Sequence, residues 1–255
     1  MKKILVLSLI CLFGLNLFGQ YTIISNNIEN GEETISTTYV DGEKIAFSDN
    51  ENAYIMDFEK DMFVICSNAQ QVYMENKIST LKEKMGKMRN LMIDELLKEM
   101  PAQQREQMRE MYKKMMSSGD QPYTEKVEVK SGTATEKIAG YNCKSFIVSE
   151  NGQEVEQLWI TYDLRVFDWA KMRKTFAFFG VPQSYEDTDI YIDLLSNGSI
   201  MKSIDNETGD ITITKEIKKG SINSKRFMPD PSFRKISALE FSKILMQEGD
   251  GEEEY

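Results

Sequence analysis

The sequence of 255 residues contains no histidine. This absence excludes Ser-His-Asp and Cys-His catalysis, and it excludes zinc or iron sites that depend on imidazole ligands. Proline is scarce, with 5 residues, and no stretch rich in proline, glycine or serine divides the chain, so we predict one domain. Acidic residues outnumber basic ones by 41 to 31. That balance argues against nucleic acid as a partner, because phosphates attract basic surfaces.

Long apolar runs are also missing, except at the N-terminus. Two lysines precede the apolar stretch Ile4–Phe18, and Gly19 is a small residue at the expected cleavage point. Because the stretch is too short to cross a membrane comfortably, we interpret residues 1–19 as a secretory signal peptide. The rest of the chain is predicted to be a single domain over residues 20–247 with an acidic tail over 248–255. We expect it to be soluble in the periplasm or outside the cell.

Hydrophobic periodicity divides the chain into strand and helix regions. Alternating β-branched and aromatic residues with short turns predict an antiparallel meander from Glu33 to about Asn76. A stripe at spacings of three and four predicts a helical hairpin between Ile78 and Met116, interrupted at Pro101. Strands return from Glu125 to Tyr162, with Asn151-Gly152 as a hairpin turn. The later predicted elements are a helix, two strands, an extended piece and a short helix: Leu164–Phe179, Ser199–Ile204, Asp210–Ile217, Ser221–Met228 and Ala238–Met246.

Two cysteines remain beyond the signal peptide, Cys66 and Cys143. In an oxidising compartment such a pair is often a disulfide, but two separate buried thiols that act as small apolar side chains are an equally good interpretation. The sequence does not decide between them, because the distance between the two Cα atoms depends on the fold. A catalytic thiol is disfavoured, since no CxxC motif and no histidine are present to activate one.

Methionine is abundant, with 16 residues, and it recurs on one face of the predicted hairpin. The methionines with this spacing are Met85, Met88, Met92, Met108, Met111 and Met115. The simplest interpretation is an apolar face packed on the sheet. A second is an adaptable surface for a hydrophobic ligand, with Trp159 in its wall, because thioether side chains are flexible and polarizable. Capture of Cu(I) ranks last, since copper sites usually recruit histidine or cysteine as well.

Charged residues do not single out a catalytic pair. Asp187 and Asp189 would share one face of a strand-like segment, but exposed acids are the norm in so acidic a chain. Basic residues gather near the C-terminal strands: Lys215, Lys218, Lys219, Lys225 and Arg226. They form either an ordinary charged sheet edge or a contact for acidic headgroups. We therefore predict that the protein is not an enzyme and that it has no catalytic residue, no bound metal and no cofactor.

Three segments of the chain carry a family resemblance. They are Leu97–Met108, then Glu136–Lys144 followed by the strand Trp159–Thr161, and finally Phe227–Phe233. Together, in this order, they resemble the DUF4412 family of exported bacterial proteins of unknown function, and IAGYNCK in the second segment is the most specific element. The last segment departs from the family, in which glycine and tyrosine usually follow the proline, so the register of the last strand is open. The signal peptide followed by Gln20 is similar to exported proteins of Bacteroidetes.

The resemblance implies both a fold and a function. DUF4412 is similar to the LolA/LolB-like group of periplasmic lipoprotein carriers, which are incomplete antiparallel β-barrels closed by a helical lid over an apolar cavity. The implied fold is α+β, a strongly curved antiparallel sheet with the Met-rich hairpin as its lid. The implied function is non-enzymatic binding of a lipid or lipoprotein acyl chain, with peripheral membrane contact. The alternative is a protein–protein interaction or sensing module of the cell envelope.

Overall fold

The computed structural model describes residues 19–49, 51–80, 100–116, 123–166, 168, 184–241 and 244, with eight isolated positions between 81 and 99. The predicted signal peptide apart from Gly19, the acidic tail and most of the predicted helix Leu164–Phe179 lie outside these residues. The part that is described consists mainly of β-strands joined by short turns, with few helices.

The secondary structure follows the chain in this order. The strands are β1 Gln20–Glu29, β2 Glu32–Asp41, β3 Lys44–Ser48, β4 Asn52–Asp57, β5 Met62–Ser67, β6 Val72–Lys77, β7 Val127–Ile138, β8 Tyr141–Glu150, β9 Gln153–Thr161, β10 Ser199–Asp205, β11 Ile211–Lys219 and β12 Arg234–Lys235. The helices with assigned bounds are α1 Ala102–Met116 and α2 Asp189–Leu195, and the 3-10 helices Ile78–Thr80, Tyr185–Asp187 and Ser224–Phe227. A further helical segment begins at residue 238.

All these strands belong to one sheet. Their order is β12-β6-β5-β4-β3-β2-β1-β11-β10-β9-β8-β7, and every pairing is antiparallel except that of β12 with β6. Two meanders, β1–β6 and β7–β11, are therefore joined where β1 pairs with β11. In the described residues β7 and β12 end the sheet and do not pair with each other, so the sheet is curved and unclosed. The predicted curved antiparallel sheet is confirmed, whereas the helical lid stays a prediction.

Tight turns explain why consecutive strands pair as neighbours. Asn151 and Gly152 have φ of 50° and 86°, as a two-residue turn between twisted strands requires, and this predicted hairpin is confirmed. The IAGYNCK element forms a second turn of this kind, with Ala139 at φ 46° and Gly140 at φ 90°. The element therefore joins β7 to β8.

The first strand was not predicted from the sequence. β1 pairs with β2 along its whole length, from Gln20 opposite Asp41 to Glu29 opposite Glu32. Its middle is polar, with Ser25-Asn26-Asn27, and this run conceals the strand pattern. Asn26 is nevertheless buried, and its side-chain amide donates to Glu33 Oε2 at 3.1 Å.

Strand alternation in β2–β5 creates apolar clusters on both faces of the sheet. One face carries a cluster around Val40, Ile45, Met56 and Phe63. The alternate positions form the opposite cluster, whose buried members are Ala46, Ile55, Val64, Cys66 and Phe227. Because both faces are apolar, this half of the sheet needs cover on each side.

In the second half of the sheet, β9 is also buried on both faces. Phe146, Leu158 and Ile160 pack with Tyr191 and Leu195 of α2, while Trp159 packs with Ile138, Cys143 and Met201. Among the described residues, α2 thus covers the Leu158 face.

Two sequence predictions near this helix are wrong. Asp187 and Asp189 do not lie on a strand, because Asp187 ends a 3-10 helix and Asp189 begins α2 after the N-cap Thr188. The start of the predicted helix Leu164–Phe179 is not helical either. Leu164 and Val166 instead pack into the cluster around Phe63, and Ser199 Oγ donates to the Leu164 carbonyl at 3.0 Å.

The C-terminal segment covers both faces of the β2–β5 region. After β11, Ile222, Phe227 and Phe233 pack on the Ala46 face, and this stretch contains a 3-10 helix where an extended piece was predicted. The chain then adds β12 to the edge of β6. Beyond β12, Ile236 and Phe241 join the opposite cluster, so the segment passes around the edge of the sheet.

Candidate functional site

An open groove lies between the Ala46 face of the sheet and the C-terminal segment. Its volume is about 740 Å³. Ala46, Ala53, Ile55 and Cys66 contribute to its floor on β3, β4 and β5. Two of these side chains are alanines, and their small size leaves space between the sheet and the segment that covers it. Strand alternation alone directs these positions to the same face.

The rim of the groove combines aromatic, thioether and basic groups. The Arg226 guanidinium carbon lies 5.2 Å from the centre of the Tyr39 ring, a distance typical of cation–π contacts. Lys225 stands beside it on the 3-10 helix Ser224–Phe227, and the Asn223 side chain caps this helix by accepting from the Lys225 backbone N–H at 3.0 Å. Met228 is 62% exposed and completes the rim.

The two acids of the groove are engaged in turns. Asp49 Oδ1 accepts hydrogen bonds from the backbone N–H groups of Glu51 and Asn52 at 2.8 and 2.7 Å. Asp230 Oδ1 accepts from the Ser232 hydroxyl and backbone N–H at 2.6 and 2.8 Å, and these bonds lower the pKa of Asp230. Their negative charge is therefore stabilised locally, while Lys225 and Arg226 carry the positive charge of the rim.

The predicted basic cluster is divided by the fold. Lys218 forms an ion pair with Glu216 at 3.0 Å on β11, and the Lys219 ammonium lies 5.9 Å from the centre of the Tyr21 ring. Lys225 and Arg226 line the groove instead, whereas Lys215 and Lys218 do not. Of the five basic residues, only Lys225 and Arg226 therefore lie at the groove, and a contact for acidic headgroups stays a prediction.

The two cysteines are free and buried. Cys66 belongs to the cluster of Ala46 and Ile55, and Cys143 to that of Trp159. Their strands, β5 and β8, are separated by seven strands in the sheet, so of the two alternatives the structure has separate thiols and not a disulfide. Burial raises the pKa of Cys66 to about 11, with a further contribution from Asp230, and burial also raises the pKa of Cys143. A raised pKa favours the protonated form of each thiol, which is the less reactive form.

The structure describes the side chains of only two of the six predicted lid methionines. Met85, Met88 and Met92 lie outside the described residues, as does the side chain of Met115. Met108 is half-buried, and Met111 is 50% exposed on α1. Trp159 is buried in its cluster, with the Lys202 ammonium 4.3 Å from the centre of its ring.

Residues that precede α1 contact this helix. Arg109 Nη2 donates to Asp94 Oδ1 at 2.6 Å, and Arg105 Nη2 donates to the Lys98 carbonyl at 3.0 Å. Ile93 and Leu97 are buried. These contacts place Asp94 and Lys98 beside α1, and the helical hairpin as a lid over a ligand stays a prediction.

A smaller cavity of about 270 Å³ lies beside α2. Glu156 on β9 is 7% exposed, and the Tyr191 hydroxyl of α2 donates to its Oε2 at 3.0 Å. Burial and the nearby charges of Glu186 and Asp205 together raise the pKa of Glu156 to about 7, while the bond from Tyr191 opposes the rise. The sequence carried a signal for this site: a carboxylate inside an apolar strand needs a buried partner.

The described residues offer no metal centre. They contain no group of three or more Cys, Asp or Glu side chains that could hold an ion. Across the same ranges, no helix is long and apolar enough to cross a membrane.

Comparisons with known proteins give distant similarities in fold. No family model and no curated protein sequence matches the chain. Among solved structures, it is similar to PNGF-II, with a TM-score of 0.41 and 12% identity over 90% of this chain and 33% of that chain. It is also similar to MucB in the MucA/MucB complex of Pseudomonas aeruginosa, with a TM-score of 0.33 and 9% identity over 86% of this chain and 59% of that chain.

A third similar structure is a DUF1329 family protein from Desulfovibrio piger, with a TM-score of 0.27 and 6% identity over 86% of this chain and 93% of that chain. The chain spans between 33% and 59% of the length of the first solved structures that it matches. Similarities this distant carry no functional argument. The resemblance to DUF4412 stays a prediction.

Proposed function

We propose that the protein is an exported, non-enzymatic binding protein for a hydrophobic ligand with an anionic end, such as a lipid or a lipoprotein acyl chain. The observation that carries this proposal is the groove over β3–β5, which has an apolar floor and presents Lys225 and Arg226 at its rim. Export rests on the signal peptide predicted at residues 1–19. The resemblance to DUF4412 and to the LolA/LolB-like carriers points in the same direction.

The apolar floor would supply the binding energy. Ligand pockets typically measure about 300–1,000 Å³, and the groove of about 740 Å³ lies inside that range. Each methylene moved out of water contributes about 0.8 kcal/mol, so ten methylenes would contribute roughly 8 kcal/mol before the costs of association. Met108 and Met111, the two predicted lid methionines whose side chains the structure describes, do not line this groove.

The rim would orient the ligand. Arginine binds carboxylate or phosphate oxygens through two parallel N–H donors, and a neighbouring lysine adds charge. Because the chain as a whole carries a formal charge of −10, these two cations would favour one end of the groove for an anionic group. An acyl chain would then extend over Ala46 and Ala53, towards Phe233.

A second candidate function is the interaction or sensing module. The observation that favours it is β7, a strand of 12 residues whose side chains are largely exposed and which ends the sheet in the described part of the chain. An exposed edge strand can receive an extended peptide as an additional strand. The bulge between Ser131 and Thr135 interrupts its pairing with β8 and would limit such an addition.

The first experiment is native mass spectrometry of the protein purified from its own cell envelope, followed by solvent extraction. We expect a co-purifying lipid in stoichiometric amount. If the protein is bare, and stays bare after incubation with phosphatidylglycerol vesicles, the lipid-binding proposal is wrong. Crosslinking from Thr133 of β7 to another envelope protein would then favour the interaction module.

Variants of groove residues test whether the ligand binds in the groove. Ala53→Phe fills the floor of the groove and should weaken binding of a fluorescent fatty acid at least tenfold. Ala134→Phe, the same change at an exposed position of β7, should leave binding unchanged. Arg226→Glu should weaken binding more than Lys137→Glu, which changes an exposed lysine on β7 that does not line the groove. Equal affinity of Ala53→Phe and the wild type would exclude this groove as the site.

A further inference from the structure

The cavity beside α2 differs from the groove in its chemistry. Its volume is about 270 Å³, and the residues that line it bring carboxylate and hydroxyl groups together. The polar members are Glu156 and Glu186, the Tyr191 hydroxyl, and the side chains of Ser25, Thr38, Ser203, Thr212 and Thr214, and Ile23, Ile200 and Met201 add apolar surface beside them. Carboxylate oxygens accept hydrogen bonds, and hydroxyl oxygens can also accept them. The lining is thus suited to a group that donates several hydrogen bonds.

We propose that this cavity is a binding site for a small organic cation, an alkyl ammonium or guanidinium group, that pairs with the buried carboxylate of Glu156. The site is separate from the groove, so the proposal does not depend on the function proposed above. A free amine and the side chain of a lysine or arginine would present the same chemistry, and the probes below distinguish them.

Glu156 lacks a cationic partner among the described residues. In the described part of the chain this carboxylate forms hydrogen bonds with tyrosines, and the Tyr191 hydroxyl donates to Oε2 at 3.0 Å. Lys202 also lines the cavity, but its ammonium is 3.3 Å from Glu136 Oε2 and 4.3 Å from the centre of the Trp159 ring. A buried carboxylate without a cation is costly, and a ligand that brings the charge would offset that cost.

Aromatic rings at the cavity also favour a bound cation. Tyr185 and Tyr191 meet edge to face, with ring centres 5.8 Å apart and an angle of 65° between them, and Tyr191 lines the cavity. The faces of tyrosine rings attract cations. Anions would be repelled by Glu156 and Glu186, and apolar ligands would have to strip water from the hydroxyl groups. The repulsion of anions and the cost of removing water both favour a cation as the ligand.

Several titratable groups face Glu156. Glu186 and Tyr185 come from the 3-10 helix before α2, Tyr191 comes from α2, and Asp205 comes from β10. The carboxylates of Glu186 and Asp205 raise the pKa of Glu156, which favours its neutral form in the empty cavity. A bound cation should therefore release a proton from Glu156, and binding should be tighter at about pH 8 than at about pH 5.5.

The experiment is isothermal titration calorimetry of the full chain with putrescine and, separately, with N-acetyl-lysine methylamide. We expect binding at about pH 8 that weakens at least tenfold at about pH 5.5, and 1-butanol should not bind. Glu156→Gln should reduce affinity at least tenfold. Glu154→Gln, an exposed position on the same strand, should leave affinity unchanged.

The outcomes are distinguishable. Putrescine binding alone would identify a free amine as the ligand, and binding of the lysine derivative alone would identify a side chain of a peptide. The proposal is overturned if neither probe binds at millimolar concentration, or if Glu156→Gln binds as tightly as the wild type. Circular dichroism of each variant would show whether a loss of binding comes from loss of fold.

Discussion

Replacing Glu156 by glutamine should stabilise the empty protein at basic pH and change its stability little in acid. Glu156 is 7% exposed, and the hydroxyl of Tyr191 donates to it at 3.0 Å. Glutamine has nearly the same shape and keeps a carbonyl oxygen for this hydrogen bond. It carries no charge that loses its hydration when the protein folds.

The size of the effect follows from the pKa. Burial, with the neighbouring acids, raises the pKa of Glu156 from 4.5 to about 7, and each pH unit corresponds to about 1.36 kcal/mol, so the rise corresponds to about 3 kcal/mol. The unfolded chain releases the proton near 4.5, whereas the folded protein keeps it until about 7. The contribution of Glu156 to stability is therefore fully present below the lower value and lost as the pH passes the upper one.

Urea unfolding followed by circular dichroism at about pH 4.5, 6 and 8 measures this difference. The free energy of unfolding of Glu156→Gln minus that of the wild type should increase by about 3 kcal/mol over this range and then level off. Glu154→Gln should follow the wild type, because this side chain is in water in both states. A difference between Glu156→Gln and the wild type that does not change with pH would refute the reasoning.

Three further predictions concern the core and the turns. Neither Cys66 nor Cys143 should react with a thiol reagent at about pH 8 until the protein is unfolded, because burial raises both pKa values. Mass spectrometry would count the attached labels, and one label per native molecule would contradict this prediction. Phe241→Ala should cost about 3–5 kcal/mol in urea unfolding, since Phe241 is 2% exposed, whereas Leu239→Ala, at a site 38% exposed, should cost less than about 1 kcal/mol. Gly152→Ala should cost about 1 kcal/mol, because its φ is 86°, and an unchanged melting curve would show that the turn adapts.

Local signals predicted much of the sheet. Asn151-Gly152 specified its hairpin because a two-residue turn needs positive φ at both positions. β9 has apolar residues on both faces, and the structure packs both of them. β1 was missed because Ser25-Asn26-Asn27 interrupts its pattern, and β12 was missed because a strand of two residues has no pattern.

The site could not be predicted in the same way. The groove brings Ala46 and Ala53 against Met228 and Phe233, and no local spacing relates residues so far apart in the chain. The sequence showed the charge of Lys225 and Arg226, but it did not show that Lys218 would lie apart from them, paired with Glu216 along β11. The position of Glu156 inside an apolar strand was the one local sign of the second cavity.

The C-terminal segment forms one wall of the groove, and its attachment to the sheet decides whether a ligand would have to order that wall. At one end, the backbone carbonyl of Gln20 on β1 accepts a hydrogen bond from the Gly220 backbone N–H at 3.1 Å. The side-chain Oε1 of Gln20 accepts a second one from the Ile222 backbone N–H at 2.8 Å. In the middle, Phe227 is buried in the sheet cluster, and at the other end Arg234 pairs with β6. A wall fixed at three points is preformed, so a ligand would not have to order it. Binding energy from the apolar floor would then appear as affinity, and exchange of the ligand would depend on its own movement out of an open groove.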